Sequence, residues 1–563
     1  MARKYNTRPF IPLVSLLTAS VVLYIAFSVL SSFQRAEDEK PDALFLRASE
    51  NAVLANEGFC RSQQLLEDWM GHRDPETGLI PRNLWERGDQ SDIWDPKDAA
   101  ADNFPFLYIT SYFTNPDMFE GDMTDMLITE TALTSRLGRI PDEYSFRKND
   151  FLHEEVNLRR IIFGAAEYIK DGLITMTELL GAGPWRSRLM GIIDDIIHYV
   201  PEGPVLFDND VVNMEINGEL LQVLSRVYWL FEDEKYLDYA VQIGDYYMLG
   251  NHHPTRDLSR LRLRDHGGEI VAGLSELYAT LRHARPDKAD AYKKPLYEML
   301  DRVLEAGTNE AGLLYNEINP QTGEVLDDRL ADTWGYVLNG HYTVYKVDGK
   351  ESYRDAILVA LQNIIVFQDY VWESESADGD ADVIEGAMYL YNHEPVPEVS
   401  QWMDRQIQIM WAKQDFAKGR EHPEGKWRGR GVVEGWHGDG NFARTSLMYS
   451  LWKTQGTHIQ PWRSDVLLGA VKNEDVLYLT LAAGDTWNGK LVFDHKRHRN
   501  HLNLPMDWPR INQYSEWFTV EPGKLYSVEN LNDGTSRKYS GEKLRDGIWL
   551  NLEADTEQRI VVR

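Results

Sequence analysis

Seven short stretches of this chain stand just ahead of helical patterning: "DAAADNFPF" (98–106), "KNDFLHEE" (148–155), "LFDNDVVNMEING" (206–218), "RLRDHGGE" (262–269), "RLADTWGY" (329–336), "DGDADVIEG" (378–386) and "EGWHGDGN" (434–441). Almost every one combines a carboxylate with an aromatic, a histidine or an asparagine. Carboxylates move protons, aromatic faces cover the C–H faces of sugar rings, and amides bind hydroxyls. Asp332 and Asp382 are the first candidates for an acid and base pair, with Glu269, Glu385 and Asp439 next. Trp334, Trp436 and His437 would stack against or orient a sugar, and Arg262, Arg264 and His266 would meet its charge. Asn103 and Asp210 are further binding candidates. Glu269 and Glu385 follow Asp265 and Asp382 within about one turn, a spacing at which two carboxyls can separate in pKa. The same residue types are also ordinary helix caps, and a helix start favours the ionised carboxylate, which suits a base more than an acid.

The elements that must carry these ends are helical hairpins. "NGELLQVLSRVYWLFEDEKYLDYAVQIGDYYM" (217–248), "GGEIVAGLSELYATLRHARPDKADAYKKPLYEML" (267–300) and "WGYVLNGHYTVYKVDGKESYRDAILVALQNII" (334–365) share one plan. A first helix with small and apolar positions leads through a short polar turn into a second, amphipathic one. Looser versions lie at 98–135, 153–199 and 381–412. A repeat of roughly 35–60 residues with two helices per unit indicates a hairpin array, either an open solenoid or a closed toroid. The unpaired helices at 49–70 and 439–455 favour closure, since they can pack on each other as the seam. The expected fold is therefore mainly α, an α/α toroid of six or seven hairpins. Beyond Asp465 short period-two runs separated by Gly, Asn, Asp and Pro read as a carboxy-terminal antiparallel β-sandwich. The expected boundaries are 1–34 for a cytoplasmic tip and membrane anchor, 35–48 for a stalk, 49–460 for the toroid and 461–563 for the sandwich.

The anchor expectation rests on "FIPLVSLLTASVVLYIAFSVLSSF" (10–33), uncharged and long enough to cross a bilayer as a helix. Arg3, Lys4 and Arg8 precede it, so the positive-inside bias leaves the tip cytoplasmic and exports the rest, to the periplasm or cell exterior. A cleaved signal peptide is the alternative, but its apolar region is shorter and no small-x-small site follows.

A net charge of −30 excludes general binding to nucleic acid, which needs a basic face. The single cysteine, Cys60, excludes an intramolecular disulfide and a cysteine zinc cage, and its apolar surroundings read as a buried thiol. His252 and His253 lack the spaced partners of a metal site, and no phosphate-binding loop, dinucleotide fingerprint or nucleophile elbow is present. Neither a metal nor another cofactor is expected. Three basic loops, 252–266, 413–431 and 494–504, interrupt the acidic chain, and two of them flank the rim stretches. They would neutralise carboxylates or sulfates on a sugar chain or, equally, balance an acidic surface.

The hairpin array, the stretch "ADTWGYVLNGHYTVYKVDG" and the terminal sandwich resemble the six-hairpin glycosidase superfamily, most nearly its branches acting on uronic-acid or arabinose-containing glycans. The likeness spans about residues 49–456, with motif flavour only around Asp332 to Tyr345. It implies a toroid with catalytic Asp or Glu at inner-helix ends, where Asp332 and Asp382 would stand. The expected function is a glycoside hydrolase, exported and held to the membrane by its amino-terminal helix, acting on an anionic polysaccharide or its oligosaccharides. Its carboxyls would lie about 6.5–9.5 Å apart if inverting and about 5–5.5 Å if retaining. A polysaccharide lyase using Tyr342 near His341 and Asn339 is the alternative, and a non-catalytic glycan-binding protein a third. Oligomeric state is left open.

Overall fold

The computed structural model describes residues 40–85, 92–203, 211–417 and 431–563. Among the described residues fifteen helices of seven residues or more build the region ahead of the carboxy-terminal strands. They are α1 (Pro41–Met70), α2 (Phe104–Thr114), α3 (Thr124–Thr134), α4 (Leu158–Glu167), α5 (Ile174–Leu180), α6 (Pro184–Tyr199), α7 (Val211–Phe231), α8 (Glu234–Met248), α9 (Glu269–Ala284), α10 (Pro286–Gly307), α11 (Trp334–Asp348), α12 (Glu351–Asn363), α13 (Ala377–His393), α14 (Pro397–Ala417) and α15 (Asp439–Lys453).

Among the described residues seven helical columns form an inner ring: α2, the broken helix α4–α5, α7, α9, α11, α13 and α15, each packed on the next, with α15 returning to α2. The even-numbered helices from α6 to α14, with α3, lie outside. Apart from α4, the inner helices are buried nearly all round. Every residue of α15 is buried, as is α9 from Glu269 to Leu281. Such helices cannot show a strong apolar stripe, because no face meets water. Small residues set their spacing. A β-carbon at Gly335 of α11 would fall 2.5 Å from the Cα of Gly386 of α13, and one at Gly273 of α9 would strike the backbone of Gly218 in α7. Glycine here permits close approach of backbones.

The chain closes its ring with α1 and α15. The Ser450 hydroxyl donates to the Ala55 carbonyl at 2.9 Å and the Ser62 hydroxyl to the Ala443 carbonyl at 3.3 Å. The stretch expected as a stalk is helical from Pro41 onward. Leu44, Phe45 and Ala48 are buried there, and Leu44 and Ala48 pack with Val471 of the terminal sheet, which makes a free stalk unfavourable.

Three strands, β1 (Leu261–Arg262), β2 (Tyr315–Asn319) and β3 (Glu324–Leu330), pair antiparallel and deliver the chain to α9 and α11. The carboxy-terminal region holds β4 (His458–Gln460), β5 (Val466–Asn473), β6 (Val476–Ala483), β7 (Trp487–Val492), β8 (Leu525–Asn530), β9 (Thr535–Ser540), β10 (Ile548–Leu552) and β11 (Thr556–Val562). A five-stranded sheet in the order β5-β6-β11-β8-β9 and a three-stranded one in the order β10-β7-β4 enclose one core that includes Leu468, Leu479, Leu481, Trp487, Leu491, Ile548 and Ile560. One segment leaves this unit. Residues 494–517 run to the toroid, where Trp508 and Arg510 are fully buried. Trp508 donates to Glu276 of α9 at 3.1 Å, and Arg510 pairs with Glu178 of α5 at 2.6 Å.

The expected transmembrane helix at 10–33 lies outside the described residues, and no described helix is long and apolar enough to cross a membrane. The expected fold class is corrected accordingly: the structure supports a helical toroid with a carboxy-terminal sheet region, and the membrane-spanning helix, with the attachment that depended on it, finds no support among the described residues.

The Gly335–Gly386 crossing generates a test. Gly335→Val should lower stability by about 3 kcal/mol, the upper range for overpacking a filled interior, read as a fall in the denaturant midpoint, whereas Gly349→Ala, at an exposed turn beyond α11, should cost much less.

Candidate functional site

The amino-terminal ends of the inner helices open on one bowl of about 200 Å³. Two helix irregularities build one wall. Ahead of α2 the residues Ala99–Asn103, and between α4 and α5 the residues Tyr168–Leu173, form π-turns, each with one extra residue per turn. They lie against each other; a β-carbon at Gly172 would fall 2.5 Å from Pro105. A π-turn re-aims side chains that a regular helix would direct elsewhere. Here the two turns and the residues beside them supply Lys97, Asp98, Asp102, Glu167, Lys170 and Asp171 to the bowl.

The remaining wall comes from α9, α11, α13 and α15. Lys170 lies between Asp171 at 2.7 Å and Glu269 at 2.8 Å. The Tyr336 hydroxyl is 3.0 Å from Asp382 and 2.6 Å from Glu385. Arg444 reaches Asp382 at 2.8 Å and Glu385 at 2.5 Å, and its other amino group donates to Asn441 at 2.9 Å and Asn512 at 2.8 Å. Asn441 also donates to Asp378 at 2.6 Å. Asn512, from the segment that leaves the sheet region, donates its backbone N–H to Glu385 at 3.0 Å and so forms the floor. At the rim Glu373 holds φ at +35°, sparsely populated for a side-chain-bearing residue, and accepts from Arg264 and Ser376.

Crowding and burial shift the carboxyls of the bowl in opposite directions. Burial, then Asp171 and Glu167, push Asp102 well above the usual carboxylate range. Burial and Asp382 do the same to Asp378, and burial and Asp171 to Glu167. Burial also raises Glu385, to about 7, against the pull of Arg444. Asp98 goes the other way: against burial, His437, Lys97 and Arg82 hold it at about 2. Burial lowers His437 to about 4, leaving a neutral ring beside Asp98 at 3.7 Å. A proton-bearing carboxyl and an ionised one in a single cavity are the parts that acid and base catalysis requires.

The residues singled out in the sequence fall into three groups. Asp382, Glu269, Trp436 and His437 line the bowl. Glu385 stands directly behind Asp382, fully buried, and Arg264 bridges Asp332 at 3.3 Å to rim residue Glu373. Asp332 itself is 3% exposed and accepts from the backbone of Thr333, so it holds the start of α11. The others stand apart. Asp439 accepts from Trp69 and the backbone of Val433, Glu434 and Gly435, fixing the loop before α15. Trp334 is core, Asn103 is fully buried beside the bowl, and Arg262 sits on β1. Asp210 lies outside the described residues, and of the His266 side chain nothing is described. His341 is buried between the carbonyls of Val337 and Leu300, and Tyr342 donates to Glu394, so neither reaches the bowl.

Asp98, Asp102 and Asp378 lay in the quoted stretches without being chosen. Glu167, Lys170 and Asp171 were missed; their signal is a trio of charges in the apolar run "IIFGAAEYIKDGLITM". Arg444 has a similar one, a lone charge in "GNFARTSLMYSL". A larger hollow of about 560 Å³ lies at the far end of α13 and α15, against β5, but its Asp404 is already taken by Lys453 at 2.6 Å.

No family model matches the chain, and no curated protein matches it. Solved structures do. An inactive variant of an α-1,6-mannanase from Salegentibacter sp., in complex with α-1,6-mannotetrose, is 10% identical with a TM-score of 0.36, over 70% of this chain and 98% of that one. A family 76 glycoside hydrolase (mannosidase) from Bacteroides thetaiotaomicron is 11% identical with a TM-score of 0.37, over 70% and 99%. Cellobiose 2-epimerase from Bacillus thermoamylovorans is 12% identical with a TM-score of 0.37, over 71% and 99%. All are six-hairpin glycosidase-like α/α toroid enzymes.

The raised pKa of Glu385 fixes a pH dependence. Its stabilising contribution is complete below its unfolded value near 4.5 and is lost as pH rises through about 7. Glu385→Gln should therefore flatten the fall in unfolding free energy between about pH 5 and 7, by up to about 1.4 kcal/mol per pH unit, measured by denaturant titration.

Proposed function

We propose that the protein is a carbohydrate-active enzyme, a glycoside hydrolase that uses two carboxyls of the bowl. The observation that carries this reading is the shared cavity of Asp102, whose surroundings keep it protonated, and Asp382, ion-paired with Arg444. Asp102 gives its proton to the glycosidic oxygen as the bond breaks, and Asp382 acts at the anomeric carbon, directly or through water. Arg444 and Tyr336 fix the Asp382 carboxylate, and Asp378, one turn before it, is within its electrostatic reach. Trp436, partly exposed at the rim, offers the apolar face on which a sugar ring rests.

The charge of the bowl selects a neutral sugar over the anionic one that the basic loops suggested. Among the described residues eight carboxyl residues line it against three cations, Lys97, Lys170 and Arg444, each already paired with a carboxylate. Of the basic loops, Arg256 pairs with Asp257, Arg260 with Glu317 and Arg497 with Asp494, and residues 418–430 lie outside the described residues.

Incubation with neutral and with uronic-acid-containing oligosaccharides, reading new reducing ends and ultraviolet absorbance together, tests both points. Reducing ends should form from a neutral substrate without unsaturated product. Asp102→Asn and Asp382→Asn should each lower kcat by about 10²–10⁴-fold. Full activity in both variants, or turnover confined to uronates, would refute the reading.

A further inference from the structure

Below the cavity, two inner columns bring together three carboxyls, one of which the proposed reaction leaves without a partner. Glu167 and Asp171 flank the π-turn between α4 and α5, and Glu219 meets them from α7. One oxygen of each lies within 4.8 Å of one oxygen of both others. All three residues are buried, Glu219 completely, and neither oxygen of Glu219 has a hydrogen-bond partner. An isolated carboxylate in such surroundings is strongly disfavoured unless a cation or a proton neutralises it.

The nearby ammonium does not fill this role. Lys170 is held by Asp171 and Glu269, and it forms no hydrogen bond to Glu219. Counting Glu269, four buried carboxyls surround one lysine. Lys97, the next cation facing Glu167, is paired with Asp98. The group is thus short of positive charge on the Glu219 side.

We propose that Glu167, Asp171 and Glu219 form a calcium site in the floor of the bowl. The donors are all carboxylate oxygens, the ligands of a hard cation. Their mutual separation is one that two metal–oxygen bonds of about 2.3–2.6 Å can span, whereas magnesium, at about 2.0–2.1 Å, demands a tighter octahedron. Glu167 and Asp171 also line the cavity, which gives the ion a route in and water to complete its coordination. Two positive charges would neutralise most of the excess left by Lys170. The inference goes beyond the hydrolase reading and does not rest on it.

Calorimetric titration of chelator-stripped full-length protein with calcium chloride tests the site, with a melting curve at each end of the titration. One ion per chain should bind saturably and raise the melting temperature by several degrees. Glu219→Gln should weaken binding at least tenfold, and Glu557→Gln, on the distant sheet, should leave it unchanged. If Glu219→Gln does not fold, by circular dichroism, Glu167→Gln supplies the same readout. Absence of saturable heat up to about 10 mM calcium, beyond the weakest class of protein calcium sites, would overturn the proposal and assign protons to these carboxyls. Unchanged affinity in Glu219→Gln or in Glu167→Gln would overturn it as well, whether or not the protein cleaves any sugar.

Discussion

A guanidinium taken out of water is tolerable only when its surroundings replace nearly all the hydration it gives up, and Arg444 meets that demand with two carboxylates and two amide oxygens. Those four partners come from three parts of the chain: its own helix α15, the neighbouring α13, and the segment that reaches over from the sheet region. One side chain therefore ties α15 to α13 and fixes the carboxylate Asp382 and the floor at once. Its removal would leave Asp382 without its counterion and take away the pull that opposes the raised pKa of Glu385, so the geometry of the bowl cannot be separated from the stability of the ring.

The same low-dielectric setting sets the carboxyls of one small cavity apart in pKa. Lining carboxyls at this density cannot all ionise, because each charge raises the cost of the next. Asp102 and Asp378, where cations are lacking, are pushed well above the usual carboxylate range, whereas Asp98, with His437, Lys97 and Arg82 close by, is held low. Function on this reading depends less on any single residue type than on the uneven supply of positive charge around the rim.

Much of the plan was legible from periodicity. Paired helices with small residues on the first member require close inner packing, and the crossings of Gly335 with Gly386 and Gly218 with Gly273 supply the reason. Two helices without local partners, α1 and α15, meet as the seam. The site was legible only in part, and the misses share a cause. Residue types at helix starts mark both caps and cavity-lining groups, so Asp332 and Asp439, which accept from local backbone, look no different in the sequence from Asp382, which lines the bowl. Glu167 and Asp171 reach the bowl because a π-turn rotates them, a displacement of one residue that a regular helical period conceals. Asn512 arrives from a distant segment, and no local pattern announces a contact of that range.

That last feature bears on how the molecule is made. A ribosome delivers the inner helices first and the floor-forming segment, 494–517, only near the end of synthesis, so a nascent toroid stands as an unplugged tube with Glu178, Glu276 and Glu385 still lacking Trp508, Arg510 and Asn512. Maturation of the pocket is thereby tied to synthesis past residue 517, and a chain interrupted before residue 494 would carry every rim carboxylate yet lack the floor.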